Sequence, residues 1–108
     1  MKTPEGMAVE IAEKIAPPRT QDPSDDILVT RFQSGDDHAF RLLVERYSER
    51  IRNLVFSVFH DTDLIDDVTQ DVFIKAYRAL PNFRFDASLY SWLYRITINH
   101  CRDIMRKQ

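Results

Sequence analysis

The sequence predicts an all-α fold, a compact bundle of about four helices, from three observations. Apolar residues recur with a period of about 3.6 over long segments after residue 37. Glycine is scarce, since only Gly6 and Gly35 occur in 108 residues, and turn signals are few after residue 37. A chain of this length forms one domain with a single core.

The first predicted helix is marked by its ends. Ser24 is a suitable N-cap, and two aspartates follow it where the helix dipole favours acids. We expect the helix to run to about Ser34, because Gly35 readily adopts the left-handed conformation that ends helices. The expected buried side chains are Ile27, Leu28 and Phe32.

The second helix is the clearest core helix of the chain. Asp36 or Asp37 can cap it, and a run over residues 37–59 would be about 34 Å long at 1.5 Å per residue. Its apolar positions follow the helical period without a break. These positions are Phe40, Leu43, Val44, Tyr47, Ile51, Leu54, Val55 and Val58.

The third helix combines an apolar face with many acids. Thr62 or Asp63 can cap it, and Pro81 stops it. Its apolar face consists of Ile65, Val68, Val72, Phe73, Ala76 and Leu80. The acids of its first half are Asp63, Asp66, Asp67 and Asp71. Acids favour the start of a helix for electrostatic reasons alone, but this number also fits a surface for a partner.

The last helix is predicted from residue 88 to the chain end, after a loop over 82–87. Ser88 or Asp86 can cap it. Its apolar stripe is Leu89, Leu93, Ile96, His100 and Ile104. A polar, mostly cationic stripe has i, i+4, i+7, i+11 spacing and comprises Arg95, Asn99, Arg102 and Arg106.

Five aromatic rings lie next to this cationic stripe. They are Phe83, Phe85, Tyr90, Trp92 and Tyr94. Rings that stack on bases, beside cations that contact phosphates, are the components of a site for single-stranded nucleic acid. The structural alternative is that the rings belong to the core and that the stripe is simply solvated.

Charge is unevenly distributed along the chain. Residues 75–108 hold seven Lys or Arg and two acids, whereas the rest holds eight and fifteen, for a net charge of −2. This separation indicates two surfaces with different partners.

Other classes of protein are disfavoured by the composition. Cys101 is the only cysteine, which excludes an internal disulfide and favours a reducing compartment. No apolar run of about 18 residues and no signal-peptide core is found, so we expect a cytoplasmic protein without membrane insertion. Residues 1–23 contain four of the five prolines and are expected to form a flexible tail.

No catalytic or metal site is evident, so we expect no enzyme and no cofactor. One cysteine and three scattered histidines give no zinc set. A calcium loop starting at Asp61 fails at Ile65, Asp66 and Val72, where a liganding residue, glycine and glutamate are needed. Two glycines cannot form a phosphate-cradling loop.

Several motifs resemble region 2 of bacterial sigma factors, and the extracytoplasmic-function group is the nearest class. They are AFRLLVERY at 39–47, DVTQDVFIKAYR at 67–78, Phe83, and YSWLYRITIN at 90–99. The resemblance covers about residues 25–108 in order, which makes residues 24–108 a region 2 domain.

The resemblance implies two functional surfaces. The acidic helix would dock on the clamp helices of the largest subunit of core RNA polymerase, through Asp67, Gln70 and Asp71. The loop and the last helix would open the promoter −10 element and hold its non-template strand. The residues implied in DNA binding are Asn82, Phe83, Arg84, Phe85, Asp86, Ala87, Arg95, Asn99, Arg102 and Arg106. In this hypothesis Phe83 forms a wall of a base pocket with Asn99 beneath it, while Trp92 packs under the loop and the role of Tyr94 stays open.

Two departures from the family pattern follow. Many relatives have glycine or a small residue where this chain has Phe85, so we expect a differently shaped loop, and the base preference of the relatives does not carry over to it. The family's helix-turn-helix for the −35 element is absent before the chain stops at Gln108, which indicates a domain of a longer protein. The alternative function is a helical interaction module without DNA activity that serves as the target of an anti-sigma factor.

Overall fold

The predicted all-α bundle is confirmed. The computed structural model describes residues 23–107, and within this range it contains four α-helices, one short 3-10 turn and no strand. The elements are α1 (Asp25–Gln33), α2 (Asp37–Phe59), α3 (Thr62–Ala79), the 3-10 turn (Leu80–Asn82) and α4 (Leu89–Lys107). Apart from its last residue, the predicted tail lies outside the described residues.

The first two helices begin at predicted caps. The Ser24 hydroxyl accepts a hydrogen bond from the Ile27 amide at 3.2 Å, and the Asp36 carboxylate accepts one from the His38 amide at 3.0 Å. These bonds satisfy amides that have no partner within their helix. Between the helices, Gly35 has a φ of 107°, which allows the sharp turn predicted at this position.

The cap of α3 differs from the prediction. Asp61 is the N-cap and accepts from the Asp63 amide at 2.9 Å, so Thr62 is already the first helical residue. An aspartate in extended conformation reaches the free amides better than a residue already inside the helix. At α4, Ser88 accepts from the Ser91 amide at 3.0 Å, as one of the two predicted caps.

One hydrophobic core joins all four helices. The six apolar positions predicted for the third helix are buried, five of them on α3 and Leu80 in the 3-10 turn. The centre of α2 is buried through Tyr47, Ile51 and Val55. The prediction for α1 is wrong at Ile27, whose side chain is 48% exposed. Val29 takes its place, because Leu28, Val29 and Phe32 share the inward face.

The buried stripe of α4 is shifted from the predicted one. Leu89 and Leu93 are buried, but the stripe continues through Thr97 and Cys101 at i+4 spacing. Thr97 is tolerated inside because its hydroxyl donates to the Leu93 carbonyl at 2.8 Å. Burial raises the pKa of the Cys101 thiol. The predicted Ile96, His100 and Ile104 are half-buried at the edge of the stripe.

A polar network holds α1 against α2. Arg46 on α2 pairs with Asp25 on α1 at 2.8 Å and donates to the Pro23 carbonyl at 2.7 Å. The Tyr47 hydroxyl donates to the same carboxylate. Burial, and then this hydrogen bond, raise the pKa of Tyr47 above its ordinary value, so the phenol stays a donor.

Candidate nucleic-acid interface and docking face

An open groove of about 390 Å³ runs along one face of α4, and we call it the α4 groove. Its lining residues are Tyr90, Ser91, Tyr94, Arg95, Ile98, Asn99 and Arg102. They span about 18 Å of helix at 1.5 Å per residue. Three predicted DNA-binding residues, Arg95, Asn99 and Arg102, therefore lie along one face of α4 and border this open depression.

The predicted Arg106 lies beyond the α4 groove. It lines a second depression with Arg102 and Met105. Its guanidinium is exposed and pairs with Asp103 at 2.6 Å. Such surface pairs are weak, about 0–1 kcal/mol, so this pairing does not remove Arg106 from contact with a phosphate.

Part of the α4 groove was not predicted. Ser91 and Ile98 line it although the sequence interpretation assigned them no site role, and Tyr90 was predicted only as one of the five rings beside the cationic stripe. A signal was present, because Tyr90, Tyr94 and Ile98 recur at i, i+4 and i+8 beside the cationic stripe. Together the lining offers cations for phosphates, rings for stacking, and an amide that both donates to and accepts from base edges.

The loop before α4 is built on a buried ring. The Phe83 side chain is only 7% exposed, and its ring centroid lies 5.3 Å from that of Trp92 and 5.0 Å from that of Phe85. Trp92 packs half-buried against the core, as predicted. No residue of 82–87 lines the α4 groove, so Phe83 stands in the core and not beside Asn99 there. The other loop residues, Asn82, Arg84, Phe85, Asp86 and Ala87, are exposed.

Phe85 overturns one expectation about the loop shape. A bulky ring was expected to avoid positive φ, yet Phe85 has a φ of 62°, the conformation that glycine adopts readily. This conformation costs an ordinary residue about 1–2 kcal/mol. The edge contact with Phe83 offsets part of that cost, since aromatic pairs contribute about 0.5–1.5 kcal/mol.

Gln33 anchors the loop to α1. Its side-chain amide nitrogen donates to the Leu80 carbonyl at 3.1 Å and to the Phe83 carbonyl at 3.0 Å. Two bonds from one amide fix the path of the chain as it leaves α3. The sequence gives no local signal for this contact, because the partners are 47 and 50 residues away.

The predicted docking residues lie together on α3. Asp67, Gln70 and Asp71 are all exposed, and their spacing puts them on one face, which we call the α3 acidic face. Asp66 lies further round the helix and pairs with Arg52 of α2 at 3.0 Å. The three predicted residues are thus available to a partner with basic side chains.

His100 connects the two helices that carry these surfaces. Its side chain is 11% exposed, and its Nε2 atom lies 3.5 Å from the Asp71 carboxylate. Within residues 23–107 neither ring nitrogen forms a hydrogen bond. Nearby, Lys75 of α3 lies 4.0 Å from Asp103 of α4.

Two other kinds of site are absent from the described part of the chain. Residues 23–107 contain no group of three or more side chains placed to hold a metal ion. No helix in this range combines the length and the hydropathy needed to cross a membrane.

A family model and two relatives of known name point to the same protein family. The family model Sigma-70 region 2 matches residues 43–108. The RNA polymerase sigma-H factor of Pseudomonas aeruginosa is 51% identical over 79 residues, which are 73% of this chain and 41% of that protein. The ECF RNA polymerase sigma-E factor of Escherichia coli K12 is 46% identical over 85 residues, 79% of this chain and 44% of that protein. The chain thus spans less than half of these relatives.

Two solved structures share the fold. An engineered region 2 of sigmaE in complex with GTAAAA superposes with a TM-score of 0.76 and 39% identity, over 83% of this chain and 94% of that one. CnrH in complex with the cytosolic domain of CnrY gives 0.67 and 37% identity, over 73% of this chain and 51% of that one.

The family model matches the region that carries both the α3 acidic face and the α4 groove. Proteins of this family are transcription initiation factors and not enzymes. The chain therefore belongs to the sigma-70 region 2 family, and its nearest class is that of the extracytoplasmic-function sigma factors.

Proposed function

We propose that this chain is the part of a sigma factor that docks on core RNA polymerase in the cytoplasm and recognises and melts the promoter −10 element. The observation that carries the proposal is the α4 groove, where Arg95, Asn99 and Arg102 lie beside the exposed ring of Tyr94 and the partly buried ring of Tyr90. A strand with separated bases needs both contacts, since phosphates require cations and bases require rings or polar edges.

The energetics of strand capture support this role. Extruding a base from a duplex costs a few kcal/mol. Stacking on an aromatic side chain returns about 1–3 kcal/mol per base. A captured base therefore roughly offsets its own extrusion, and the phosphate contacts of Arg95 and Arg102 keep the non-template strand apart from its complement.

The loop over 82–87 is proposed to surround an extruded base. The buried Phe83 ring and the two hydrogen bonds of Gln33 hold the loop in one conformation. The exposed side chains of Asn82, Arg84 and Asp86 then supply the polar contacts. Phe85, 41% exposed and at positive φ, adds an apolar surface at the same edge.

The α3 acidic face is proposed to bind the clamp helices of the largest polymerase subunit. Asp67 and Asp71 offer carboxylates, and Gln70 offers an amide, to arginine-rich helices. The negative charge of the α3 acidic face itself repels DNA phosphates, whereas the cations of the α4 groove attract them, so each surface has one preferred partner.

A second candidate function is a module that serves mainly as the target of an anti-sigma factor. It is supported by CnrH, which is similar to this chain and was solved in complex with the cytosolic domain of CnrY. In that case the same surfaces would bind a regulatory protein and would have no DNA activity.

Binding of single-stranded GTAAAA, the strand bound by the sigmaE relative, separates the two candidates. The proposal predicts measurable binding that weakens with salt by a slope of about 0.7 per phosphate contact. It also predicts weaker binding of a scrambled strand of the same composition. Binding that is absent or insensitive to salt, by a folded domain, would support the second candidate.

A further inference from the structure

His100 is a buried titratable side chain that neither of the two proposed binding surfaces uses. It lies on α4 beside α3, its side chain is 11% exposed, and both ring nitrogens lack a hydrogen-bond partner among residues 23–107. Buried polar groups are almost always paired, because an unpaired one loses its hydration without compensation. An imidazole with two unused nitrogens therefore indicates a second state in which a partner is engaged.

Asp71 of α3 is the acid within reach of this ring. Its Oδ2 atom lies 3.5 Å from His100 Nε2, which is longer than an ordinary hydrogen bond but close enough for strong attraction between opposite charges. The Asp71 side chain is 55% exposed, so its carboxylate can also face a partner in solvent. A side-chain rotation that shortens the distance to about 2.8 Å would give a charge-assisted hydrogen bond to a protonated ring.

The next charges along α3 and α4 already pair with each other. One turn further on, Lys75 of α3 lies 4.0 Å from Asp103 of α4, and Arg106 lies 2.6 Å from the same carboxylate. Asp103 thus has two cations of its own, although it is only three residues from His100. Asp71, in contrast, faces His100.

The other charges of α4 and α3 are directed away from His100 or lie further along. Arg95 and Arg102 are five residues before and two residues after it, which puts them on the opposite side of α4, in the α4 groove. Lys107 shares the side of His100 but lies two turns, about 11 Å, further along the helix. Asp67 stands exposed at the start of the α3 acidic face.

α2 and the loop over 82–87 approach α4 near its other end. Arg50 of α2 lies over a ring in the first turn of α4, about 15 Å of helix before His100. Arg84 and Asp86 of the loop precede α4 altogether. Asp71 is therefore the group placed to pair with a protonated His100.

We propose that His100 makes docking on RNA polymerase sensitive to protons, because the protonated ring pairs with Asp71 and withdraws its carboxylate from the α3 acidic face. His100 does not touch the polymerase in this scheme and acts as a positioning residue for Asp71. The inference rests on the proposed function, since it requires Asp71 to bind an arginine-rich partner.

The direction of the effect follows from competition for one carboxylate. A neutral ring leaves Asp71 to an arginine of the clamp helices, whereas a protonated ring competes with that arginine. The free chain then binds protons more tightly than the docked chain, so protons weaken docking by the same factor. Histidine side chains change their charge between about pH 5 and pH 8, and docking should therefore weaken as the pH falls through this range.

The test compares the affinity of the chain for core RNA polymerase at about pH 6 and about pH 8. Since the polymerase has titrating groups of its own, the compared quantity is the ratio of the two affinities in each variant. His100→Gln keeps a polar side chain that cannot take up a proton. We expect the loss of affinity at the lower pH to be about two- to fivefold smaller in this variant than in the unaltered chain, the range of a partly exposed ion pair.

Two further variants control this comparison. His38→Gln replaces an exposed histidine on α2, and its ratio of affinities should equal that of the unaltered chain. Asp71→Asn should weaken docking at both pH values, because a docking carboxylate is lost, and should show the same reduced pH dependence as His100→Gln.

A second measurement uses the free chain without polymerase. The ring signals of its three histidines are followed by NMR as the pH is changed. In Asp71→Asn the titration midpoint for His100 should move to lower pH by about 0.3–0.7 unit, because a neutral amide stabilises an imidazolium less than a carboxylate does. The midpoints for His38 and His60 should not move, and they serve as internal references.

The outcomes distinguish this inference from the proposed function. A chain that binds no polymerase at either pH contradicts the proposed function, and the inference fails with it. If the chain binds but His100→Gln keeps the full pH dependence, the inference alone is overturned, even where its affinity is lower at both pH values, since that indicates a structural role only. An unmoved His100 midpoint in Asp71→Asn would overturn the pairing itself.

Discussion

The α3 acidic face and the α4 groove differ in shape as well as in charge. On α3, carboxylates and an amide project from consecutive turns of one helix and stand exposed. On α4, cations and two tyrosine rings border an open depression along one face of a single helix. A docking surface for a large basic partner needs accessible carboxylates, whereas a strand needs cations for its phosphates and rings for its bases. The two surfaces therefore lie on different helices of one small domain. We expect that substitutions can abolish polymerase binding without affecting strand binding, and the reverse.

The largest expected effect comes from removing the α3 acidic face. In the variant Asp67→Ala, Gln70→Ala, Asp71→Ala, we expect co-elution with core RNA polymerase to be lost. Charged partners left unpaired in an interface cost about 2–5 kcal/mol. Binding of single-stranded GTAAAA should stay within about twofold, because the α4 groove is unchanged.

Asp66→Ala is the control for that variant. It removes an exposed acid from the same helix, but one that pairs with Arg52 of α2. Polymerase binding should remain close to that of the unaltered domain. A similar loss in both variants would mean that general negative charge, and not the α3 acidic face, determines docking.

Within the α4 groove, substitution of Asn99 and substitution of Arg102 should change the affinity for a strand in different ways. Asn99→Ala should weaken strand binding by about 1–3 kcal/mol for the preferred base and less for other bases, since an amide reads base edges. Arg102→Ala should weaken all sequences alike and lower the salt slope by about 0.7. Equal losses for every base in Asn99→Ala would contradict the role given to Asn99.

The loop should be less stable without its anchor. Gln33→Ala removes two hydrogen bonds, each worth about 0.5–1.5 kcal/mol, so the free energy of unfolding should fall by about 1–3 kcal/mol. The Leu80 carbonyl keeps the Phe83 amide as a donor at 3.0 Å. Gln70→Ala replaces an exposed glutamine and should change the free energy of unfolding by less than about 0.5 kcal/mol. Chemical denaturation measures both. A Gln33→Ala variant as stable as Gln70→Ala would show that the anchor is dispensable.

The smallest expected effect concerns the backbone at Phe85. Phe85→Gly and Phe85→Ala both remove the contact with Phe83, but only glycine adopts a φ of 62° without strain. The glycine variant should therefore be the more stable of the two by about 1 kcal/mol in thermal or chemical unfolding. An alanine variant of equal or higher stability would indicate that the loop has relaxed to negative φ.

Periodic patterns in the sequence predicted the elements, but contacts over long distances in sequence were missed. The bounds of α2 and the buried face of α3 follow from regular apolar spacing, and three of the four caps were among the residues predicted. The hydrogen bonds from Gln33 to the Leu80 and Phe83 carbonyls have no sequence signal, since these residues come together only through folding. On α4 the buried stripe includes Thr97, whose hydroxyl is satisfied inside its own helix.

The sequence did not show which of the five aromatic side chains face the core and which face solvent. Five aromatics near the α4 groove look alike in the sequence, yet Phe83 is buried and Tyr94 is 44% exposed. Helical spacing separates Trp92 from Tyr94, because residues two apart point to different sides. It cannot place Phe83, which lies outside the helix. The positive φ of Phe85 was not foreseen, since its cost is met by contacts that the sequence does not reveal.

The separation of the two surfaces is tested most directly by mapping where a strand binds. Backbone amide shifts of the domain would be followed by NMR as single-stranded GTAAAA is added. We predict that the perturbed residues fall in the loop over 82–87 and along 90–102, while Asp67, Gln70 and Asp71 keep their shifts. Perturbations concentrated on the α3 acidic face, or saturation with none in the α4 groove, would contradict the account.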